Sequence, residues 1–561
     1  MGLLSVLLAA AVSASAQDYR HYLCEETRQP FFAESEPAGG ARAVTARRRL
    51  ANPVSFEMPK PAKTRRILVV GESVAGILWE KDHDPLTEAA QAAWPGQRVE
   101  DVNAGMTAYN SRRIAQVLEE GLKYDPDLVV VLSGHNETDA LELCPSFGER
   151  VERDFRRSPV FRRLREAFPG KRARGVQYDH QVSLARHEFE LRRMARSARE
   201  RGVPLVLATL PANERGYSPG GPDPGPGGEA PWQDAEFARA AAAFERGDLA
   251  AAARGFQRRV ESAPFDPMAH WFLARALDAE APTRGAAGSA ARARPHYDEA
   301  ARWDGRGDRA SDDRDAMIRR VAKEEGAAVA DLDEAFRKDA PDGAPGGERI
   351  ADGVHWYRRF NPFVAAVILD AVERSTFSAR FGPWDSKALA ARLERGVRAT
   401  ASAQQRREEL KKVLLYGIRQ ASYWGGTDED GRINELPVTL FDRVDREARG
   451  WLLEISASKG AMRPQLVKNY WVQDLEQEED LWWPIYSAHL AEMYRRKGEP
   501  QLALRFFDEA LRLSPQRWRW RLWRALALKA AGRAGEARAE ALSLKERRDG
   551  AVDAVARAYG L

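Results

Sequence analysis

Five strand-like runs punctuate the first two thirds of the chain. Ile67–Val70, Arg98–Val102, Leu128–Leu132, Pro204–Leu210 and Ala327–Leu332 each read as a strand. Between them, helical periodicity runs over Leu86–Trp94, Ser111–Leu122, His180–Arg201 and Asp313–Glu325, and a last helix is predicted over Pro362–Val372. Short apolar strands alternating with helices predict an α/β fold, with a parallel sheet covered on both faces. Ligands of such sheets bind beyond the carboxyl ends of the strands, so chemistry is expected in the residues that follow each run. Residues 17–62 mix polarity, Pro, Gly and an Arg cluster at Arg47–Arg49, and are read as an extended lead-in without periodicity. Residues 142–176 are Arg-rich and helical in pattern, which reads as a solvated helix face.

The pattern changes after the Gly/Pro-rich stretch Tyr217–Pro231, which must be loop. Gln233–Arg302 is Ala-rich, with helical spacing and an internal repeat. One unit places Ala240, Gly247, Ala252, Phe256 and Pro264, and a second Leu273, Ala274, Gly288, Ala293, Tyr297 and Ala300, at the small, turn, aromatic and proline positions of a helical hairpin. Near the C-terminus, Leu490, Ala491, Tyr494, Gly498, Ala503, Phe507, Ala510 and Pro515 repeat the spacing, and Gly532 and Ala537 follow one period later. These segments resemble tetratricopeptide repeats, helix pairs that bury their faces by stacking. The expected organisation is an export signal at 1–16, an extension at 17–63 and an α/β domain in two parts, 64–230 and 305–375. That domain is interrupted by a repeat-like helical insertion at 231–304 and followed by a helical linker region at 376–480 and C-terminal repeats at 481–561.

Composition narrows this picture. With 87 Lys+Arg against 83 Asp+Glu in 561 residues, the net charge of +4 gives no electrostatic reason to invoke nucleic acid. Leu3–Val12 is an apolar run of signal-peptide length, and Ala14-Ser15-Ala16 supplies a small-x-small cleavage site. The residues before it lack Lys and Arg, as a start placed too far downstream would leave them. Export to the periplasm or the exterior is expected, with no stable membrane span. The two cysteines, Cys24 and Cys144, read equally as one disulfide or as two thiols.

The residues after the strands carry the chemistry. Gly71-Glu72-Ser73 follows the first, with Gly76 three residues on, and places a serine where a strand gives way to a helix. Asn103-Ala104-Gly105 ends the second, and the glycine allows a backbone N–H to approach a ligand closely. Gly134-His135-Asn136-Glu137 follows the third and offers an amide side chain. Asp352-Gly353-Val354-His355 precedes the last helix, and its carboxylate can fix the imidazole tautomer. The four blocks, in this order, resemble the SGNH (GDSL-type) serine hydrolase family over roughly residues 64 to 214 and 305 to 374. The resemblance implies a flavodoxin-like parallel sheet and an esterase that needs no cofactor and no metal. It also implies Ser73 as nucleophile, His355 as general base and acid, and Asp352 as its orienting carboxylate. The oxyanion hole would be made by Ser73, Gly105 and Asn136. Two carboxylates depart from the family pattern: Glu72 stands where an Asp usually precedes the serine, and Glu137 where an Asp usually follows the asparagine. Trp356 stands where a proline often follows the histidine.

The leading expectation is an exported serine esterase acting on a carbohydrate acetyl ester or a lipid ester, with a protein partner on its repeats. The same residues would also serve an O-acyltransferase. A reading of another class is a non-catalytic scaffold in which the repeats bind protein. The helical insertion is expected to overhang the site and to gate access to it.

Overall fold

The computed structural model describes residues 29–35, 42–48, 51–80, 84–137, 171–217, 235–245, 247–279, 286–304, 309–340, 343–397, 498–513 and 518–544, with isolated positions besides. The export segment, Cys24, Cys144, residues 142–170 and most of 398–497 lie outside them. In chain order the elements are β1 (Phe32–Ser35), β2 (Arg42–Ala46), β3 (Ser55–Met58), β4 (Thr64–Gly71), α1 (Ser73–Leu78), α2 (Pro85–Ala93), β5 (Arg98–Gly105), α3 (Ser111–Gly121) and β6 (Leu128–Leu132). Next come α4 (Lys171–Glu200), β7 (Leu205–Thr209), α5 (Ala235–Glu245), α6 (Leu249–Ser262), α7 (Pro267–Ala279), α8 (Ala286–Arg302) and α9 (Asp312–Glu325). The chain continues with β8 (Ala328–Asp331), α10 (Leu332–Asp339), α11 (Asn361–Glu373), α12 (Ser386–Val397), α13 (Pro500–Leu513), α14 (Trp518–Ala530) and α15 (Ala534–Ser543). Contacts group residues 1–211, 307–339 and 358–399 into one compact unit, and 212–306, 340–357 and 400–561 into a second.

The first unit is α/β. Its five-stranded sheet has the order β5-β4-β6-β7-β8, and every pair is parallel. Numbered along the chain this is 2-1-3-4-5, the flavodoxin-like order, which puts the switch point at the carboxyl ends of β4 and β6. All five residues of β6 and all five of β7 are buried, as their apolar runs predict for strands covered on both faces. The glycines that end β4 and β5 allow close packing. A Cβ on Gly71 would lie 2.4 Å from the Leu132 carbonyl oxygen, and one on Gly105 2.3 Å from the Gly76 nitrogen. Helix α1 therefore crosses the strand ends in contact with backbone.

The lead-in is not featureless. β1, β2 and β3 form an antiparallel sheet of three strands. Phe31, Phe32, Val44, Phe56 and Met58 are buried in the same core as Leu68, Val102 and Leu118. The Glu120 carboxylate accepts the N–H groups of Phe31 (2.7 Å) and Phe32 (2.9 Å). Residues 376–397, expected in a linker region, also belong to this unit. Trp94 stacks on Phe381 at 5.0 Å, and the Asp385 N–H donates to the Ala93 carbonyl.

The second unit contains helices joined by short turns. Phe256 stacks on Phe272 at 5.1 Å, and Phe237 meets both rings edge-on. Gly255 lies against Ala240, where a Cβ would come within 2.6 Å of the alanine methyl. Gly247, Gly498 and Gly532 hold left-handed turns, a conformation in which a side chain is strained. The small and aromatic positions of the repeat pattern, among them Ala252, Phe256, Ala274, Ala503, Phe507 and Ala510, are buried. Among the described residues no helix is long and apolar enough to cross a membrane.

Candidate active site

Ser73 is the first residue of α1, half-buried, directly after Gly71 and Glu72 leave β4. The turn is tied to the neighbouring strand, since the Glu72 N–H donates to the Leu132 carbonyl at 3.1 Å. The longer Glu72 arm reaches under the loop after β6. There its Oε1 accepts the His135 N–H at 2.9 Å. Burial, with a smaller push from the Glu137 charge, outweighs the backbone N–H groups of His135, Asn136 and Gly134 and raises the Glu72 carboxyl to about 8. Neutral Glu72 is thus the ordinary form at physiological pH.

Gly105 serves packing. Its N–H donates to the Asn103 side-chain oxygen at 3.0 Å, so the donor expected for an oxyanion hole is already engaged. Asn103 is fully buried, and its amide also donates to the Ala75 carbonyl at 2.9 Å. Asn52, from the N-terminal sheet region, donates to the Asn103 oxygen and to the Gly76 carbonyl, both at 3.1 Å. Two asparagines thus hold the carbonyls of α1 behind Ser73. Three residues beyond Gly105, Ala108 adopts a left-handed backbone with φ of 61°. A non-glycine residue rarely accepts that strain, and where one does the site is often functional. The Ala108 N–H has no hydrogen-bond partner among the described residues.

Asn136 lies half-buried beyond β6. One N–H of its amide is fixed by the Tyr109 carbonyl at 3.2 Å, which seats Asn136 beside the Ala108 turn. Glu137 anchors the start of α3, accepting the Ser111 N–H at 2.8 Å and the Ser111 hydroxyl at 2.7 Å. His135 is buried, and its Nδ1 accepts the Ala310 N–H at 2.9 Å, so the neutral ring carries its proton on Nε2. That is a structural histidine.

Asp352 and His355 sit in a loop of the second unit. Asp352 Oδ1 accepts the N–H groups of Val354 and His355, both at 2.8 Å, and Oδ2 accepts from His355 Nδ1 at 2.7 Å. The imidazole is locked with Nε2 as its basic nitrogen. Burial alone would lower the His355 pKa, but the Asp352 charge and hydrogen bond overcome it and raise the group above its ordinary value. Burial likewise pushes Asp352 up, while His355 and the two N–H groups bring it below the usual carboxylate range. Trp356 is buried, and Ala351 N–H donates to the His355 carbonyl at 2.8 Å, closing the loop.

The structure therefore brings Asp352 and His355 together, and it sets Ser73, Gly105 and Asn136 after three neighbouring strands of the sheet. The first pair belongs to the second unit and the other three residues to the first. Sequence reasoning did not single out Asn52 and Asn103, which hold α1, or the left-handed Ala108. The Asn103 signal was present as a polar residue inside a strand otherwise buried at that end. Nothing in the local sequence marks Ala108.

No family model and no curated protein sequence matches the chain. Among solved structures, a mutant of Axe2, an acetyl-xylooligosaccharide esterase from Geobacillus Stearmophilus, is similar at 13% identity with a TM-score of 0.26. The alignment covers 56% of this chain and 95% of that one. The TPR domain of P58(IPK) is similar at 13% identity with a TM-score of 0.14, covering 56% of this chain and 94% of that one.

Proposed function

We propose that the protein is a serine hydrolase acting on ester bonds through an acyl-enzyme. What supports the reading most directly is the Asp352–His355 pair: a carboxylate with both oxygens occupied within its own loop, bonded to Nδ1 of a raised-pKa imidazole. Ser73 Oγ attacks the acyl carbonyl and passes its proton to His355 Nε2. The oxygen that gains the charge is met by the Ser73 N–H, the Ala108 N–H and the Asn136 amide. This assignment replaces Gly105, whose N–H stays with Asn103. His355 then protonates the departing alkoxide, the C–O bond breaks and the acyl group remains on Ser73. Water, deprotonated by His355, releases the acid and restores the serine. Asp352 stabilises the imidazolium in both halves.

The substrate within this reading is an acyl ester of a carbohydrate or a lipid. A panel of aryl esters of increasing acyl length, with native protein and Ser73→Ala, tests it. Turnover that disappears in Ser73→Ala supports the reading, and a folded native protein without turnover on any ester overturns it. Acyl transfer to an added glycan in place of hydrolysis would move the assignment to a transferase that uses the same residues.

A further inference from the structure

The loop that carries Asp352 and His355 is held by turns and hydrogen bonds, with only an isolated bridge between Ile350 and Trp356. Such a segment is as rigid as its attachments. Those attachments lead into the helical insertion. Asn213 is buried, its N–H donates to the Gly353 carbonyl at 2.9 Å, and its amide donates to the Ile350 carbonyl at 3.0 Å. The amide oxygen accepts the Gly216 N–H at 2.8 Å, so the asparagine also fixes its own turn. The neighbouring Glu214 N–H donates to the Pro345 carbonyl at 2.9 Å. The Tyr217 ring lies so close to Gly353 that a Cβ there would sit 2.9 Å from a ring carbon. Residues 213–217 thus grip the loop at its start, at its bend and directly behind Asp352.

Residues 213–217 are in turn fastened to α7. The Trp271 indole, fully buried, donates to the Glu214 carbonyl at 3.1 Å. Arg275 donates to the Arg215 carbonyl at 3.1 Å and lies over the Trp271 ring, 5.3 Å from its centre. Ala344, from the loop itself, is buried in the same apolar cluster as Phe237, Phe256 and Phe272 of the insertion. A bundle of packed helices moves far less than a free loop, and a general base displaced by about an ångström loses rate by about a hundredfold.

We propose that the helical insertion is the support that holds the Asp352–His355 pair in register, with Asn213 and Trp271 as positioning residues for His355. This rests on the assignment of that pair as base and orienting carboxylate. It departs from the expectation that the insertion gates the substrate, because a gate alters which esters enter, whereas a support alters the base.

The test uses the full-length protein with isotope-labelled histidine, comparing native, Asn213→Ala and Trp271→Phe. Asn213→Ala removes the donor to Ile350 and the acceptor for Gly216, while Trp271→Phe removes the donor to Glu214 and keeps an aromatic ring, smaller than the indole, in its place. In both variants kcat on a short-chain aryl ester is expected to fall by about tenfold to a hundredfold, with KM unchanged within about twofold. The His355 titration midpoint is expected to fall toward 6.5, and its Nδ1 proton signal to weaken by exchange. Should Asn213→Ala not fold, Trp271→Phe decides. A folded variant with the native His355 midpoint and proton signal would overturn the proposal. If the native protein turns over no ester, the hydrolase reading fails separately, and the His355 titration in the same proteins still decides whether the insertion holds the pair.

Discussion

Asp352 commits both oxygens inside its own loop, and that arrangement sets the pH behaviour expected of His355. The imidazole must be neutral to take the Ser73 proton, so activity should rise with pH through a midpoint above 6.5. In Asp352→Asn the carboxylate no longer favours the imidazolium, so that midpoint should move down while kcat falls by about a hundredfold or more. A kcat/KM profile against pH for both proteins checks this, and an unmoved midpoint would contradict it. Glu72 gives a second pH signature, in stability. Above 4.5 an unfolded Glu72 has lost its proton, but the folded one keeps it up to about 8, so stability should fall as pH rises across that window. Glu72→Gln keeps an acceptor for the His135 N–H and cannot ionise. It should therefore flatten that slope and stabilise the protein at pH 8 by something on the order of a few kcal/mol, read from urea melts at both ends of the window. At the oxyanion side, Asn136→Ala should cost about a hundredfold in kcat. Ala108→Gly keeps the N–H and relieves the left-handed strain, so activity should persist.

Among elements, the three central strands of the parallel sheet were legible because burial on both faces leaves one kind of sequence, a continuous apolar run. Leu128–Leu132 is the strand the pattern predicts, residue for residue. β5 runs three residues beyond the predicted strand, because Asn103 is buried by satisfying its amide rather than by being apolar. The antiparallel strands β1 to β3 escaped for the opposite reason. Each has four or five residues, and only β3 alternates, with Phe56 and Met58 buried between exposed Ser55 and Glu57, so no period registers. Arg66 binds this sheet to the next. Fully buried, it donates to the carbonyls of Tyr124 (2.5 Å) and Glu57 (2.8 Å), pairs with Glu100, and covers the Phe56 ring at 4.5 Å. Arg66→Met should destabilise the protein by roughly 3 kcal/mol in urea, because it strands these acceptors. The four blocks of the candidate site were legible as segments of sequence, but the bond that engages the Gly105 N–H with Asn103 was not, since a glycine within a motif looks the same whether it faces ligand or helix. Gly105→Ala separates the two. It keeps the N–H yet drives a methyl into the Gly76 backbone, so both stability and activity should fall.

Over the whole chain, charge and chemistry are distributed differently. Charged residues make up 30% of the sequence, yet the net is only +4. Part of that charge is a lattice on the faces of α4 and α9, where Arg192 meets Glu188, Glu324 and Glu325, and Arg320 meets Glu188. Such half-exposed pairs contribute little each, and they neutralise Arg192 and Arg320 locally. The residues of the proposed catalytic set divide between the two units, with Ser73 and Asn136 in one and Asp352 and His355 in the other. The central claim is that these residues act as one catalytic set with an activated serine. The most direct measurement is labelling with a fluorophosphonate probe, with the adduct located by mass spectrometry, in native protein, Ser73→Ala and His355→Ala. One adduct is expected, on Ser73, absent from Ser73→Ala and formed about a thousandfold or more slowly in His355→Ala. A folded native protein that takes no label, or one labelled equally well without His355, would contradict it.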